Sequence, residues 1–247
     1  MFAILDAAVL AKAMRNFVAL FSLVMLGLVA SARADLTIVQ RVDGGGQRGD
    51  ATVKIKGDRE RIDSPEQPTR IIDGKDGQMI NLMNDRKTYL KISADQIKAA
   101  AETISKFGDA DKTAAAKLTP TGKKEKINGY DTEEFVYETP RFKASFWVAP
   151  KYPDAAAILQ EMQAPVSGAW KSINMGMPSY TDFNGMPLRT VISVGENQIT
   201  TTIMAIKKDP INPAEFEIPK DFHELKRPTQ TAPQTGGSSA SSPSATP

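Results

Sequence analysis

From Leu36 onward, apolar and polar residues alternate in short runs, and turn-forming residues fall between the runs. A period of two predicts half-buried antiparallel strands. Leu36 to Val42 is the first run. In the next, Val53 and Ile55 point to one face while Lys54 and Lys56 point to the other. Gly57-Asp58 turns the chain into Arg59 to Asp63. Arg70-Ile71-Ile72 then passes through Asp73-Gly74-Lys75-Asp76-Gly77 to Met79 to Met83, a turn at Asn84-Asp85, and Thr88 to Ile92. Turns this short join antiparallel neighbours.

After Ser93 the period lengthens. Ser93 reads as an N-cap with Gln96 as its capping-box partner, and Ile97, Ala100, Ala101 and Ile104 fall on one helical face. Gly108 is the expected stop. A low-order stretch rich in Ala, Lys and Thr follows, before strands resume at Asp131 to Glu138 and Phe142 to Val148. A second helix is predicted with Asp154 as cap, Ala155, Ile158, Leu159 and Met162 on one face, and Pro165 as its end. Val166 to Asp182 holds no steady period and reads as irregular. Leu188 to Val194 and Gln198 to Ile206 form a hairpin across Gly195-Glu196-Asn197, and the chain leaves through Pro210 and Pro213. Nine or ten strands with two helices predict a mainly β (α+β) fold: a large curved antiparallel sheet or half-open β-barrel with two helices covering the concave face.

The ends differ from this body. Arg15, an apolar run from Phe17 to Val29 and the small-residue ending Ala32-Arg33-Ala34 have the three-part layout of a secretory signal. Residues 1–34 are therefore expected to be a cleaved signal peptide, with translation starting at Met14 and the mature chain at Asp35. The apolar run is short for a bilayer core and contains Gly27, so no stable membrane anchor is expected after cleavage. Residues 228–247 carry no aliphatic side chain larger than alanine and no aromatic, the composition of a disordered Pro/Ser/Thr-rich tail. Residues 35–227 remain as a single domain, expected to be exported to the periplasm, with an extracellular destination as the alternative.

Composition narrows the function classes. The 247 residues are 41% hydrophobic and 24% charged, which suits a soluble domain with a packed core. The first 34 residues hold Lys12, Arg15 and Arg33 against Asp6, so the remainder carries 28 basic and 28 acidic residues. A neutral domain lacks the cationic excess that binds nucleic acid. Without cysteine there is no disulfide, thiolate metal site, cysteine nucleophile or lipid-modified cysteine.

Catalytic and cofactor signatures are weak. Gly44-Gly45-Gly46-Gln47-Arg48-Gly49 fits G-x-G-x-x-G, but a strand follows where a dinucleotide site needs a helix, so the segment reads as a hairpin loop. His223 is the only histidine, and nothing metal-like accompanies it. Glu133 and Glu134 are strand neighbours pointing to opposite faces, so they cannot share one substrate. Asp73 to Gly77 lacks the spacing of a calcium loop. Lys123, Lys124 and Lys126 read as a solvated face, with contact to anionic headgroups as the functional alternative. No catalytic residue, metal site or cofactor is expected, and the protein is expected not to be an enzyme.

The order of elements carries a resemblance over nearly all of residues 35–225. Lys56-Gly57-Asp58-Arg59-Glu60-Arg61-Ile62-Asp63, Lys87-Thr88-Tyr89-Leu90-Lys91-Ile92, a helix and Lys126-Ile127-Asn128-Gly129-Tyr130 come in turn, closed by Asn184-Gly185-Met186-Pro187-Leu188 and Phe216-Glu217-Ile218-Pro219-Lys220-Asp221-Phe222. This resembles a family of exported bacterial β-rich proteins known only as a domain of unknown function. It also looks like the periplasmic lipoprotein carrier LolA and its relatives, half-open barrels with helices forming a lid. The resemblance implies function by cavity, with an acyl chain or other apolar group held under the helices. Residues suited to line such a site are Met79, Met83, Phe135, Tyr137, Phe142, Phe146, Ile97, Ile104, Leu159 and Met162. The plainer reading is that these side chains form a filled core. The function expected is noncatalytic binding or carriage of a lipid-like or other apolar ligand, with an acylated molecule or an envelope protein as partner. The alternative is an envelope protein-interaction or sensing module without a small-molecule ligand.

Overall fold

The computed structural model describes residues 35–65, 67–107, 117–139, 142–173 and 177–225. The segments 1–34 and 228–247, read above as signal peptide and tail, and Gly108, the expected helix stop, lie outside the described residues. The first half of the described chain contains β1 (Leu36–Gly44), β2 (Gln47–Lys56), β3 (Arg59–Asp63), β4 (Thr69–Asp73), β5 (Gln78–Met83), β6 (Thr88–Ile92) and helix α1 (Ala94–Phe107). The second contains β7 (Thr119–Ile127), β8 (Tyr130–Glu138), β9 (Lys143–Ala149), helix α2 (Ala155–Gln163), β10 (Met186–Val194), β11 (Asn197–Lys207) and the short β12 (His223–Glu224). The strands form one twelve-stranded sheet in the order β12-β6-β5-β4-β3-β2-β1-β11-β10-β9-β8-β7. The chain starts mid-sheet, walks out to β6, and returns inward from the far edge until β11 pairs with β1. Neighbours are antiparallel except β12 and β6, which run parallel. The sheet is curved and open, with β7 and β12 at its free edges.

All ten predicted runs become strands, and β7 and β12 are additional. β7 was expected to be low in order because nothing in it alternates: every residue is exposed except Ile127. As an edge strand it is held by its backbone ladder to β8. Asn128 and Gly129 make the connecting turn, both at positive φ (50° and 85°), which fits the right-handed strand twist. The Asn128 side chain donates to the Ile203 carbonyl of β11, and Arg189 of β10 grips Glu125 of β7 at 2.9 Å. Strands three or four apart are thus brought within side-chain reach by the curl of the sheet.

The first helix begins as its sequence predicts. Ser93 N–H donates to Gln96 Oε1 at 2.9 Å, and Gln96 N–H donates to Ser93 Oγ at 3.3 Å. Ile97 and Ala101 are buried, whereas Ala100, expected on the same face, is exposed. The second helix ends before Pro165 but starts differently from expectation. Asp154 sits at its N-cap in the left-handed region (φ 54°) and makes no side-chain cap. Its carboxylate pairs instead with Lys208 Nζ at 2.6 Å, which turns it away from the helix N–H groups. The irregular segment contains two 3₁₀ turns, Gly168–Ile173 and Tyr180–Asp182.

Directly opposed residues on neighbouring strands share a face. The inner face, beneath the helices, carries the row Leu36, Ile55, Glu60, Ile72, Met79 and Ile92. Leu36, Ile38 and Ile55 pack there with Ile158 and Leu159 of α2 in the largest core cluster. Full burial of each such side chain contributes about 1.5–3 kcal/mol. On the outer face, Ile71 and Leu82 are covered by Ile211 and Phe216 from the segment that follows β11. This C-terminal strap seals one side of the sheet; the roof over the other side is less complete.

Candidate functional site

Between the inner face and its roof lies a cavity of about 680 Å³, inside the range of about 300–1,000 Å³ usual for small-molecule sites. Its floor is formed by Gln40, Glu60, Ile72, Phe146, Thr190, Ile192, Thr201 and Ile203, drawn from six strands. Met162 and Gln163 close one side from the end of α2, and the chain from Pro165 to Phe183 supplies Val166, Trp170, Met177 and Tyr180 overhead.

The roof is pinned at two points. Gln163 Oε1 accepts from Ser179 Oγ at 2.8 Å and from Tyr180 N–H at 3.1 Å, which fastens the irregular segment to the helix end. Ser167 Oγ donates to the Gly74 carbonyl at 2.8 Å, while Gly74 N–H donates to Asp58 O at 2.8 Å. Gly74 allows this close approach, because a Cβ there would stand 2.6 Å from the Pro165 carbonyl oxygen. The β4–β5 turn therefore docks directly against the roof.

Two titratable groups meet at the cavity. Burial pushes the Glu60 carboxyl up to about 7, partly opposed by the charge of Arg70. Burial, and then the nearby Glu60 charge, pushes the Tyr180 phenol up to about 12, so it stays a neutral donor. Glu60 retains some accessible surface although protein surrounds it, because it borders the cavity. Elsewhere, burial would raise Glu134, but hydrogen bonds from Thr121, Lys123 and Ser145 outweigh it and hold that carboxyl low.

The ten side chains expected to line a site divide. Phe146 and Met162 line the cavity. Tyr137 joins Phe146 in an adjoining cluster with Phe135, Phe142, Met177 and Phe183, where the Phe146 and Phe183 rings meet edge to face at 4.9 Å. Leu159 is packed among core residues, and Ile97 is buried on α1. Met79 and Met83 lie half-buried on the inner face, outside the cavity lining. The side chain of Ile104 lies outside the described residues. The polar lining went unnoticed in the sequence: Gln40, Glu60, Thr190 and Thr201 face inward, as does Trp170 from the roof. One signal was available, since Glu60 has the same strand parity as the inward Ile62.

Other candidates resolve into structure. Gly45 and Gly46 form the β1–β2 turn, and β2 follows directly. His223 is exposed in β12 and donates its N–H to the Lys87 carbonyl at 2.9 Å. Lys123 pairs with Glu134 at 3.2 Å and Lys126 with Asp131 at 3.7 Å, so two of the three clustered lysines are neutralised by strand neighbours. Among the described residues no three His, Cys, Asp or Glu side chains are placed to hold a metal ion.

Several solved structures are distantly similar. PNGF-II is 13% identical at a TM-score of 0.39; the alignment covers 78% of this chain and 32% of PNGF-II, so the chain spans about a third of that protein. Lipoprotein LppX of Mycobacterium tuberculosis is 13% identical at a TM-score of 0.39, with 84% of this chain and 99% of LppX covered. The MucA/MucB complex of Pseudomonas aeruginosa gives 10% identity and a TM-score of 0.38, over 78% of this chain and 58% of the matched one. Likenesses this distant carry no functional information. No curated protein matches the chain. A family model described as "Domain of unknown function (DUF4412)" matches residues 36–222, from the start of β1 to the end of the C-terminal strap, and the chain belongs to that family.

Proposed function

We propose that this domain is a noncatalytic periplasmic binder or carrier of a lipid-like or other apolar ligand, held between the inner sheet face and its roof. The observation that carries the reading is the half-open cavity of about 680 Å³ left between the sheet and its roof, where a purely structural layer would normally be close-packed. The walls suit a flexible apolar guest: Ile72, Phe146, Ile192 and Ile203 offer a smooth floor, and the thioethers of Met162 and Met177 adapt to its shape. Lipid extraction and native mass spectrometry of protein purified from the periplasmic fraction test it. A co-purifying apolar molecule is expected, and its binding should fall sharply in Thr201→Trp, which fills the floor. Absence of both an extractable ligand and any affinity for apolar probes overturns the proposal.

A second reading, an envelope protein-interaction module, draws on the β10–β11 hairpin, where Val194 and Ile199 are 54% and 39% exposed. A protein partner captured from envelope extracts by delipidated wild type, but lost in Val194→Asp, would favour it.

A further inference from the structure

Glu60 occupies a row of six cross-strand neighbours, Leu36, Ile55, Glu60, Ile72, Met79 and Ile92, in which it alone is polar. The same side chain lines the cavity. Among the described residues, none forms a hydrogen bond or ion pair with its carboxyl. The charge that acts on it is Arg70, on the same face of β4 but beyond ion-pair distance, and its own charge is felt by Tyr180 in the roof. A carboxylate surrounded by protein and without a partner destabilises a fold, even where it keeps some accessible surface. Packing does not ask for one here, because the five other members of the row are apolar. A costly ionisable group on a cavity wall is the pattern of a binding group.

We propose that Glu60 is the polar anchor of this cavity and that the ligand is an amphiphile with a cationic amine head, its ammonium paired to the Glu60 carboxylate. This rests on the cavity being a ligand site. An ionised carboxylate accepts hydrogen bonds and donates none, so the head that completes it brings donors and positive charge. Tyr180, kept neutral, and the side-chain oxygens of Gln40 and Thr201 border the same space and can take the remaining N–H groups. The hydrocarbon then lies along Phe146, Ile192 and Met162. An anionic head would meet repulsion from Glu60; the cation it would seek is Lys171, exposed at the cavity wall.

Isothermal titration with decylamine, decanol and decanoate, each below its critical micelle concentration, separates these cases. At about pH 7.5, decylamine should bind at least about tenfold more tightly than decanol, with decanoate weakest. Glu60→Gln should erase the advantage of the amine, so that decylamine binds no more tightly than decanol. Because an ammonium favours the ionised carboxylate, amine binding near pH 7 should release protons, seen as a dependence of the heat on buffer, and should weaken as the pH falls. That readout uses wild type alone and stands if the variant fails to fold. Equal affinity for all three heads, or tightest binding of decanoate, overturns the anchor and leaves the cavity reading intact. No binding of any of the three overturns both.

Discussion

Glu60 and Arg61 are neighbours on β3 that face opposite sides of the sheet. Arg61 meets the C-terminal strap with all three of its nitrogens engaged: Nη1 donates to the Glu215 carbonyl at 2.7 Å, and Nε and Nη2 donate to the Asp63 carboxylate at 2.8 and 2.9 Å. Lys54 pairs with Glu215 beside it, and Thr69 Oγ1 donates to Asp63 at 2.8 Å. Around them Ile71, Leu82, Ile211 and Phe216 are buried. Glu60, one residue away, meets open volume, and among the described residues its carboxyl has no such partner. The outer side is built as a closed core, with apolar surface covered and charge compensated. The inner side keeps room beside an acid that the charge of Arg70 offsets only in part.

The largest change should come from opening the sealed side. Phe216→Ala removes a ring that is 4% exposed and should lower unfolding free energy by about 3–4 kcal/mol in denaturant titration. Apolar-probe binding should survive below the lowered melting temperature.

Glu60→Gln should move the other way. An acid whose folded pKa is raised binds its proton more tightly when folded, so wild type loses stability as pH rises from about 4.5 through about 7. The variant should be more stable than wild type by about 2–3 kcal/mol at pH 8 and no more stable at pH 4. Equal stability of the two proteins at pH 8 would show that Arg70 compensates this acid in full.

Asp35 gives the mirror case at the root of the strap. Burial alone would raise its carboxyl, but the Ile211 N–H at 2.7 Å and Lys56 at 2.6 Å outweigh burial and hold it below the usual range. Its stabilisation is therefore present above the unfolded pKa near 3.8 and fades as pH falls through the lower folded value. Asp35→Asn should cost about 1.5 kcal/mol at neutral pH and progressively less in acid. Smallest of all, Ser167→Ala removes one roof hydrogen bond, for under about 1 kcal/mol. It should act more on exchange than on stability, with a bound apolar probe leaving faster in stopped-flow release.

How much of this was legible in the sequence follows from where a local pattern exists. Val53 and Ile55 against Lys54 and Lys56 gave both faces of β2, and Ser93 with Gln96 gave the start of α1, because those signals span few residues. β7 was lost because an exposed edge strand has no buried face to impose alternation. Asp154 misled because a residue type suited to capping was claimed by Lys208, 54 positions away. The cavity was legible only in part. Phe146 and Met162 could be picked as apolar and inward, but the space beside them arises where Thr190, Thr201 and Gln40 from three strands meet a segment without a period. Which aromatics pack together and which border a void is decided by curvature, and curvature has no short-range signature.

The two ends of the sheet bear on whether molecules can join through it. An unpaired strand edge is a template for another chain, and proteins that remain separate guard it. Here β12 is only two residues long. β7 carries Pro120, an irregular register between Pro120 and Lys124, and the charged run Lys123 to Lys126. Among the described residues neither border offers a long, regular, uncharged ladder, so intermolecular β-pairing through them is discouraged even though the sheet stays open.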